Sequence, residues 1–227
     1  MAPKSIHLIR HAQGFHDLYD DLSMHDPHLT DLGRSQALTL QTIFPTQSKV
    51  ELVCASPLRR TIETAALAFD PFLHPSSSRK ILAIPHCQES SAAPANTGSD
   101  PDVLRREFGD IVDLSRVPEG WNSKEGEWAP RRDELGARAR ELRRWLRSRD
   151  EEEVVVVSHG DFLHHVTSMV DDNDEQMGGY WKNVEWRTYV FEEEAEDDPE
   201  ARLREIESSW KKRAATGPSE EMGSLPN

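Results

Sequence analysis

Cysteine is scarce in this sequence, and no apolar stretch approaches the length of a membrane-spanning helix. The two cysteines of the 227-residue chain, Cys54 and Cys87, do not belong to a Cys-x-x-Cys pair. The sequence therefore predicts neither a disulfide framework nor a cysteine-based zinc site, and both thiols are interpreted as small buried side chains. The lack of a long apolar run argues against a membrane-embedded protein.

Positive charge is also in short supply. Lysine and arginine number 27 against 41 aspartates and glutamates, which gives a net charge of −14. This balance argues against non-specific binding to nucleic acid or to an anionic membrane. Much of the acidic excess lies in residues 151–153 and 192–200, which are interpreted as solvated surface or tail. An anionic ligand would need a local basic pocket, so the placement of single arginines is informative.

Length and the two chain ends predict the domain organisation. A chain of 227 residues favours one domain with a substantial core. Residues 1–5 run directly into an apolar segment and leave no room for a signal peptide, which predicts a cytoplasmic protein. We assign residues 1–192 to a single catalytic domain and residues 193–227 to an acidic C-terminal tail. The tail is expected to be partly helical, over 201–213, or disordered, over 214–227.

Apolar runs and amphipathic patterns alternate along the chain. Their order predicts an α/β fold, a three-layer sandwich with a largely parallel central sheet and helices on both faces. Ser56 and Pro57 are expected to begin one of the helices, as the cap and in the first turn. The last strand is expected at an edge of the sheet. Strands are predicted near 6–9, 50–55, 81–84, 154–157 and 184–191, and helices near 30–44, 57–65, 102–108, 131–149 and 161–170.

Polar side chains follow several of these predicted strands. Arg10 and His11 follow the first apolar run, and His159 follows a run of four valines. Arg60 falls in the first turns of the helix after the second strand, and Glu89 stands where a later strand meets a loop. Because ligands bind at the carboxyl ends of strands in such sheets, these residues are expected to converge. A guanidinium can hold two phosphate oxygens and a neutral imidazole can attack phosphorus, so the group is typical of a phosphate site.

Other polar and aromatic residues are assigned to structure. His16, His25 and Asp26 are interpreted as surface loop residues, and no metal site is predicted because no metal-ligand spacing joins them. Trp121 and Trp128 could wall a pocket or pack against the core, and packing is the preferred interpretation.

Two further segments bear on the site. The arginines of the helix at 131–149 are interpreted as a solvated face. The segment 90–101, in which Ser, Ala and Pro predominate, is expected to form a long loop over the site. Asp100 and Asp102 are alternatives to Glu89 as the acid, which we prefer because it follows its strand most directly.

In these residues the sequence resembles the histidine phosphatase superfamily, also called phosphoglycerate mutase-like, and in its loops the small fungal members. The resemblance covers residues from about 5 to 170, in the order expected for the family. The motifs that carry it are Leu8-Ile9-Arg10-His11-Ala12, Leu29-Thr30 to Gly33 with Gln36-Ala37, Ser56-Pro57-Leu58-x-Arg60 through Thr64-Ala65, and Val157-Ser158-His159-Gly160.

The resemblance implies a role for each residue. His11 would be the nucleophile that forms a phosphohistidine, His159 would stabilise the phosphoryl charge, and Glu89 would act as the proton donor and acceptor. No cofactor or metal is implied, and the partner would be a small phosphorylated molecule. The phosphate-binding residues would be Arg10, Arg60, Gln13, Gly14, Asp17 and Gly160.

The sequence departs from the family pattern at two positions. Ala12 replaces the usual glycine, and Asp17 stands where many members place an asparagine near the phosphate. A carboxylate there would repel a phosphate dianion by roughly 1 kcal/mol or more. The leading hypothesis is a metal-independent phosphomonoesterase. The alternatives are a mutase-like phosphoryl-transfer enzyme and a repurposed isomerase, lyase or cyclase that no longer hydrolyses phosphate esters.

Overall fold

A seven-stranded mixed sheet forms the centre of the protein. The computed structural model describes residues 2–73, 78–170, 176–177, 179–192 and 198–215. The strands lie in the order β4-β3-β2-β5-β1-β6-β7; the first five in this order are parallel, and β6 and β7 pair antiparallel. Their bounds are Ser5–Arg10 (β1), Leu52–Ala55 (β2), Ile81–Ala83 (β3), Val112–Asp113 (β4), Glu153–Ser158 (β5), Trp186–Phe191 (β6) and Leu203–Glu205 (β7).

Helices cover both faces of this sheet, which confirms the predicted fold class. Strand side chains alternate between the faces, so Ile9 belongs to one apolar cluster with helices α2, α3 and α4, and Leu8 to another with α5 and α6. The helices are Phe15–Tyr19 (α1), Asp31–Ile43 (α2), Arg59–Ala68 (α3), Pro101–Phe108 (α4), Arg132–Arg147 (α5), Gly160–Val166 (α6) and Glu207–Ala215 (α7). No helix in the described ranges is long and apolar enough to cross a membrane.

The register of β1 against β5 positions the two histidine motifs. The buried strands pair in parallel from Ser5 beside Glu153 to Arg10 beside Ser158. Each of the residues that follow, His11 and His159, therefore leaves the sheet at the same carboxyl edge. The amide of His11 donates to the carbonyl of Ser158 at 2.9 Å, which extends the pairing by one residue.

Several local predictions were wrong. Helix α3 begins at Arg59 with Leu58 as its N-cap, because the hydroxyl of Ser56 bonds His159 instead of capping the helix. Strand β6 is not an edge strand, because β7 pairs with it. Strand β7 also lies where the prediction had a helix beginning at residue 201. The prediction missed β4, a strand of two residues.

The C-terminal part of the chain adds to the sheet and carries a short helix. Strand β7 and helix α7 both lie beyond residue 192, so the division at that residue stays a prediction. Of the predicted tail, 193–197 and 216–227 lie outside the described residues.

Burial tests the remaining packing predictions. Cys54, Cys87, Trp121 and Trp128 are all buried, as expected. The solvated-face interpretation of α5 fails for two arginines, because Arg138 and Arg143 are 3% and 4% exposed. Arg143 turns inward to donate to main-chain carbonyls at the end of α6, which offsets the cost of burying its charge.

Candidate active site

His11 and His159 lie side by side at the carboxyl edge of the sheet. Their ring centroids are 5.2 Å apart, and the side chains are almost fully buried. Burial lowers the pKa of both imidazoles well below the ordinary value, and the nearby Arg60 guanidinium lowers it further. Both rings are therefore neutral near pH 7, which a nucleophilic imidazole requires.

Arg60 joins the two histidines from the first turn of α3. Its Nε donates to Nε2 of His11 at 3.1 Å, and its Nη2 donates to Nδ1 of His159 at 2.9 Å. The remaining bonds fix the fork, because Nη1 donates to the carbonyl of Ala95 at 2.6 Å and Nη2 to Oδ1 of Asn96 at 3.0 Å. One fully buried guanidinium thus sets the orientation of both rings.

These contacts assign the tautomer of each histidine. Since Arg60 has no acceptor, Nε2 of His11 and Nδ1 of His159 must carry lone pairs. The proton of His11 then lies on Nδ1, which is 2.8 Å from the carbonyl of Ala12. The proton of His159 lies on Nε2, which is 2.9 Å from the hydroxyl of Ser56. The ring nitrogen of His11 that carries a lone pair is accordingly Nε2, on the side of Arg60.

Arg10 is paired with the unexpected carboxylate of Asp17. Its Nη2 donates to Oδ1 of Asp17 at 2.9 Å, and its Nη1 donates to the carbonyl of Trp181 at 2.7 Å. The other carboxylate oxygen of Asp17 accepts from the amide of Gly14 at 2.8 Å, at the start of α1. Because both of its oxygens are engaged, Asp17 is held by partners of positive character within reach of the site.

Three further residues predicted to bind phosphate, Gln13, Gly14 and Gly160, lie near the side chains of Arg10 and Asp17. The amides of Gln13 and Gly14 already donate to the side chains of Gln36 and Asp17, so their role as phosphate donors stays a prediction. Gly160 begins α6, and a Cβ there would lie 3.4 Å from Cδ of Arg10, so glycine allows the arginine side chain to pass.

Glu89 is a buried carboxylate with one anchored oxygen. It is 7% exposed, and its Oε1 accepts from the amides of Ser90 at 2.7 Å and Phe162 at 3.1 Å. Burial raises the pKa of Glu89, and Asp161 raises it further. Its Oε2 has no hydrogen-bond partner within the described part of the chain. One oxygen is anchored, and the other is available to a leaving group.

The two alternative acids do not fit this role. Asp100 and Asp102 are both exposed, and Asp102 forms an ion pair with Arg105 on the surface of α4.

His16 is a site residue that the sequence analysis missed. It is 7% exposed, its ring centroid is 5.7 Å from that of His11, and burial followed by Arg60 lowers its pKa to about 4. The surface interpretation was also wrong for Asp26, which is buried and bonds the amide and side chain of Ser99, but correct for His25. The signal that could have found His16 is its proximity in sequence to His11.

His11, His16 and Asp17 form the one group in the described part of the chain that could hold a metal ion. Ligand atoms of His11, His16 and Asp17 lie within 4.8 Å of one another. Arg10 bonds Asp17, and Arg60 bonds His11, so a cation here would stand beside two guanidinium groups. This electrostatic setting favours an anion over a metal ion.

Comparison with known proteins agrees with the geometry. A family model described as histidine phosphatase superfamily (branch 1) matches residues 6–197. The chain is 30% identical over 235 residues to a phosphoglycerate mutase-like protein of Arabidopsis thaliana, with 83% of this chain and 84% of that protein covered.

Two solved structures are similar in fold. A phosphoserine phosphatase of Entamoeba histolytica, solved with phosphoserine, has a TM-score of 0.55 and 16% identity, with 89% of this chain and 94% of that chain covered. A mycobacterial glucosyl-3-phosphoglycerate phosphatase has a TM-score of 0.56 and 18% identity, with 89% and 97% covered. Together with the site, the family match supports a phosphoric monoester hydrolase. The chain belongs to the histidine phosphatase superfamily, in its branch 1.

Proposed function

We propose that this protein hydrolyses a small phosphorylated metabolite through a phosphohistidine formed on Nε2 of His11. The observation that carries the proposal is the bond from Arg60 to a neutral His11, because it presents a lone pair beside a buried cation. Glu89, with one oxygen anchored and a raised pKa, supplies the proton-transfer group.

The first half of the reaction forms the phosphohistidine. A phosphoryl oxygen replaces Nε2 of His11 as the acceptor of the Arg60 Nε–H, and the released lone pair attacks phosphorus. The bond between phosphorus and the ester oxygen breaks, its electron pair goes to that oxygen, and protonated Glu89 donates the proton that completes the leaving alcohol. Arg10 and Arg60 stabilise the charge on the phosphoryl oxygens.

The second half restores the enzyme. Water attacks the phosphorus of the phosphohistidine, and the carboxylate of Glu89 takes the proton that the water loses. The bond between phosphorus and Nε2 breaks, its electron pair returns to His11, and phosphate leaves. In this proposal the cations of the protein supply the charge stabilisation for both steps.

The pairing of Asp17 bears on the alternatives. A free carboxylate would oppose phosphate and would favour a repurposed reaction, but the bond to Arg10 and the bond from the Gly14 amide offset part of its charge. Hydrolysis is therefore proposed over an isomerase, lyase or cyclase reaction. A mutase uses the same first half, and it differs in returning the phosphoryl group to substrate instead of water.

The test is a panel of phosphate esters assayed for released phosphate with the full-length chain and its His11→Ala variant. We expect the variant to lose at least about 10³-fold in rate, because its nucleophile is gone. The matched control is His25→Ala, since His25 is an exposed histidine of the same loop region.

Three results would count against the proposal. They are full activity in His11→Ala, isomer interconversion without phosphate release, and no hydrolysis of any ester by the unmodified chain. An alkali-stable phosphoryl group on the quenched enzyme, absent from His11→Ala, would support the phosphohistidine.

A further inference from the structure

Arg138 is a buried cation that the proposed mechanism does not use. It lies on α5 and is 3% exposed. Its Nη1 donates to the carbonyl of Gln88 at 3.3 Å, which is long for such a bond. Its Nε and Nη2 are buried and have no hydrogen-bond partner within the described residues. Because a buried guanidinium with two unused donors destabilises a fold, packing alone does not account for this residue.

The two contacts of Arg138 lie on either side of Glu89. Gln88, whose carbonyl accepts from Arg138, directly precedes Glu89 in the sequence. The guanidinium carbon of Arg138 lies 4.7 Å from the ring centroid of Phe162. The amide of Phe162 in turn donates to Oε1 of Glu89 at 3.1 Å. Arg138 therefore holds both the main chain that carries Glu89 and the residue that anchors its carboxylate.

Charged groups from several elements face Glu89. They are Arg10 at the end of β1, Arg60 on α3, Arg138 on α5, Asp161 on α6 and Lys124 in the loop before α5. Burial lowers the pKa of Lys124 to about 7 and that of Arg138 to about 10, so Arg138 keeps its charge at neutral pH and Lys124 keeps only part of it. In the proposed reaction Arg10 and Arg60 bind the phosphoryl oxygens. The charge of Arg138 then remains available to Glu89 when phosphate occupies the site.

Glu89 needs two protonation states within one turnover of the proposed reaction. It gives a proton to the leaving alcohol and later takes one from water, so its ionised form must also be accessible. Burial raises the pKa of Glu89, and Asp161 raises it further, which disfavours the ionised form. A fixed positive charge that interacts with the carboxylate opposes this effect.

We infer that Arg138 is a positioning residue, which fixes the side chain of Glu89 and stabilises its ionised form for the attack of water on the phosphohistidine. The inference rests on the proposed function and adds a residue that is not among its phosphate ligands. Arg138 acts through Glu89, because its contacts with Gln88 and Phe162 set the place of the carboxylate and its charge favours loss of the proton. A purely structural arginine would leave the titration of Glu89 unchanged.

The test is the titration of Glu89 in the full-length chain, followed by carbon-13 NMR of glutamate labelled at the carboxyl carbon. The resonance of Glu89 is the one that disappears in Glu89→Gln. In Arg138→Met the midpoint of this titration is expected to rise by at least about one pH unit, because the charge is gone. Arg138→Lys is expected to show at most about half of that rise, because it keeps the charge but not the planar fork.

The matched control is Arg143→Met. Arg143 lies on the same helix, is 4% exposed and also donates to main-chain carbonyls, but it does so at the end of α6 and beside Glu200. This substitution is expected to change the free energy of unfolding in urea and to leave the midpoint of Glu89 in place. Should Arg138→Met not fold, Arg138→Gln keeps a donor for the Gln88 carbonyl without the charge, and most of the same rise is expected.

The pH profile of turnover is a second readout. The leaving group of p-nitrophenyl phosphate needs no proton, so hydrolysis of the phosphohistidine by ionised Glu89 is expected to limit kcat on the acid side. The acid limb of kcat should move to higher pH in Arg138→Met by about the same interval as the NMR midpoint. It should stay in place in Arg143→Met.

The outcomes separate this inference from the proposed function. An unchanged midpoint in Arg138→Met, an equal rise in Arg143→Met, or a rise in Arg138→Lys as large as that in Arg138→Met would each overturn it. The NMR titration needs no turnover. Absence of hydrolysis by the unmodified chain would therefore count against the proposed function, and the titration would still decide whether Arg138 stabilises ionised Glu89.

Discussion

Replacing Asp17 by asparagine should strengthen phosphate binding. The carboxylate bonds Arg10 at 2.9 Å and the Gly14 amide at 2.8 Å, and its Oδ2 lies 3.9 Å from Nδ1 of His11. A phosphoryl group on the far nitrogen of that ring would be about 7 Å from the carboxylate, where an effective dielectric of about 20 gives about 2 kcal/mol of repulsion per negative charge. Water reduces this figure, because the Asp17 side chain is 18% exposed.

The expected result is a fall of about tenfold or more in the inhibition constant of inorganic phosphate, which corresponds to about 1.4 kcal/mol. Asparagine keeps one acceptor oxygen, so the cap on α1 can survive the change. The assay is competitive inhibition of p-nitrophenyl phosphate hydrolysis at pH 7, at low and at high salt. Since the pair is partly buried, most of the effect should persist at high salt.

The control is Asp21→Asn, which removes an equal charge from the residues that follow α1. The carboxylate of Asp21 accepts from the amide and hydroxyl of Ser23, and the contact of this residue with the site is through its main chain, whose amide donates to the carbonyl of His16 at 3.1 Å. An unchanged or weaker inhibition constant in Asp17→Asn would refute the electrostatic reasoning. A fall of equal size in Asp21→Asn would show that only the overall charge of the chain matters.

Two further substitutions test the titratable groups of the site. Glu89→Gln should lower hydrolysis of alkyl phosphates by about 10²–10⁴-fold, but that of p-nitrophenyl phosphate much less, because nitrophenolate leaves without a proton. Equal losses for both esters would contradict its role as an acid. The pKa of His16 is lowered to about 4 in the folded protein, so the unfolded chain takes up this proton at a higher pH than the folded one. The contribution of neutral, buried His16 to the free energy of unfolding is therefore full above about pH 6.5 and is lost as the pH falls from there to 4. His16→Gln should therefore flatten the dependence of the free energy of unfolding on pH by up to about 1.4 kcal/mol per pH unit in that window, measured by urea unfolding. Parallel curves for the two proteins would contradict the assignment.

The part of the site that lies on strands could be predicted from the sequence. His11 and His159 follow apolar runs, and a parallel pairing of those runs brings the residues to one edge. Arg60 was placed correctly because a helix that follows a buried strand begins at the same edge. The same rule predicted Glu89 at this edge, where its charge interacts with Arg60 and Arg10, while its role as the acid stays a prediction.

The residues of the site that lie outside the sheet were harder to predict from the sequence. His16 in the short helix α1 and Asp26 in the loop after it are buried because this segment folds back on the site, a tertiary effect without a periodic signal in the sequence. Ser56 has the sequence signature of a helix cap, but its hydroxyl bonds His159, so a tertiary contact replaced the local one.

Arg60 explains why these separate elements form one site. A histidine near a bound dianion tends to gain a proton, which would remove the lone pair that attacks phosphorus. Arg60 opposes that gain at both rings through its charge, and its donors decide which nitrogen of each ring carries the lone pair. A lysine would supply the charge from a single nitrogen and could not maintain both bonds together with those to Ala95 and Asn96. In the proposed reaction, the planar fork at the start of α3 therefore makes one buried imidazole a nucleophile and the other a charge-stabilising neighbour.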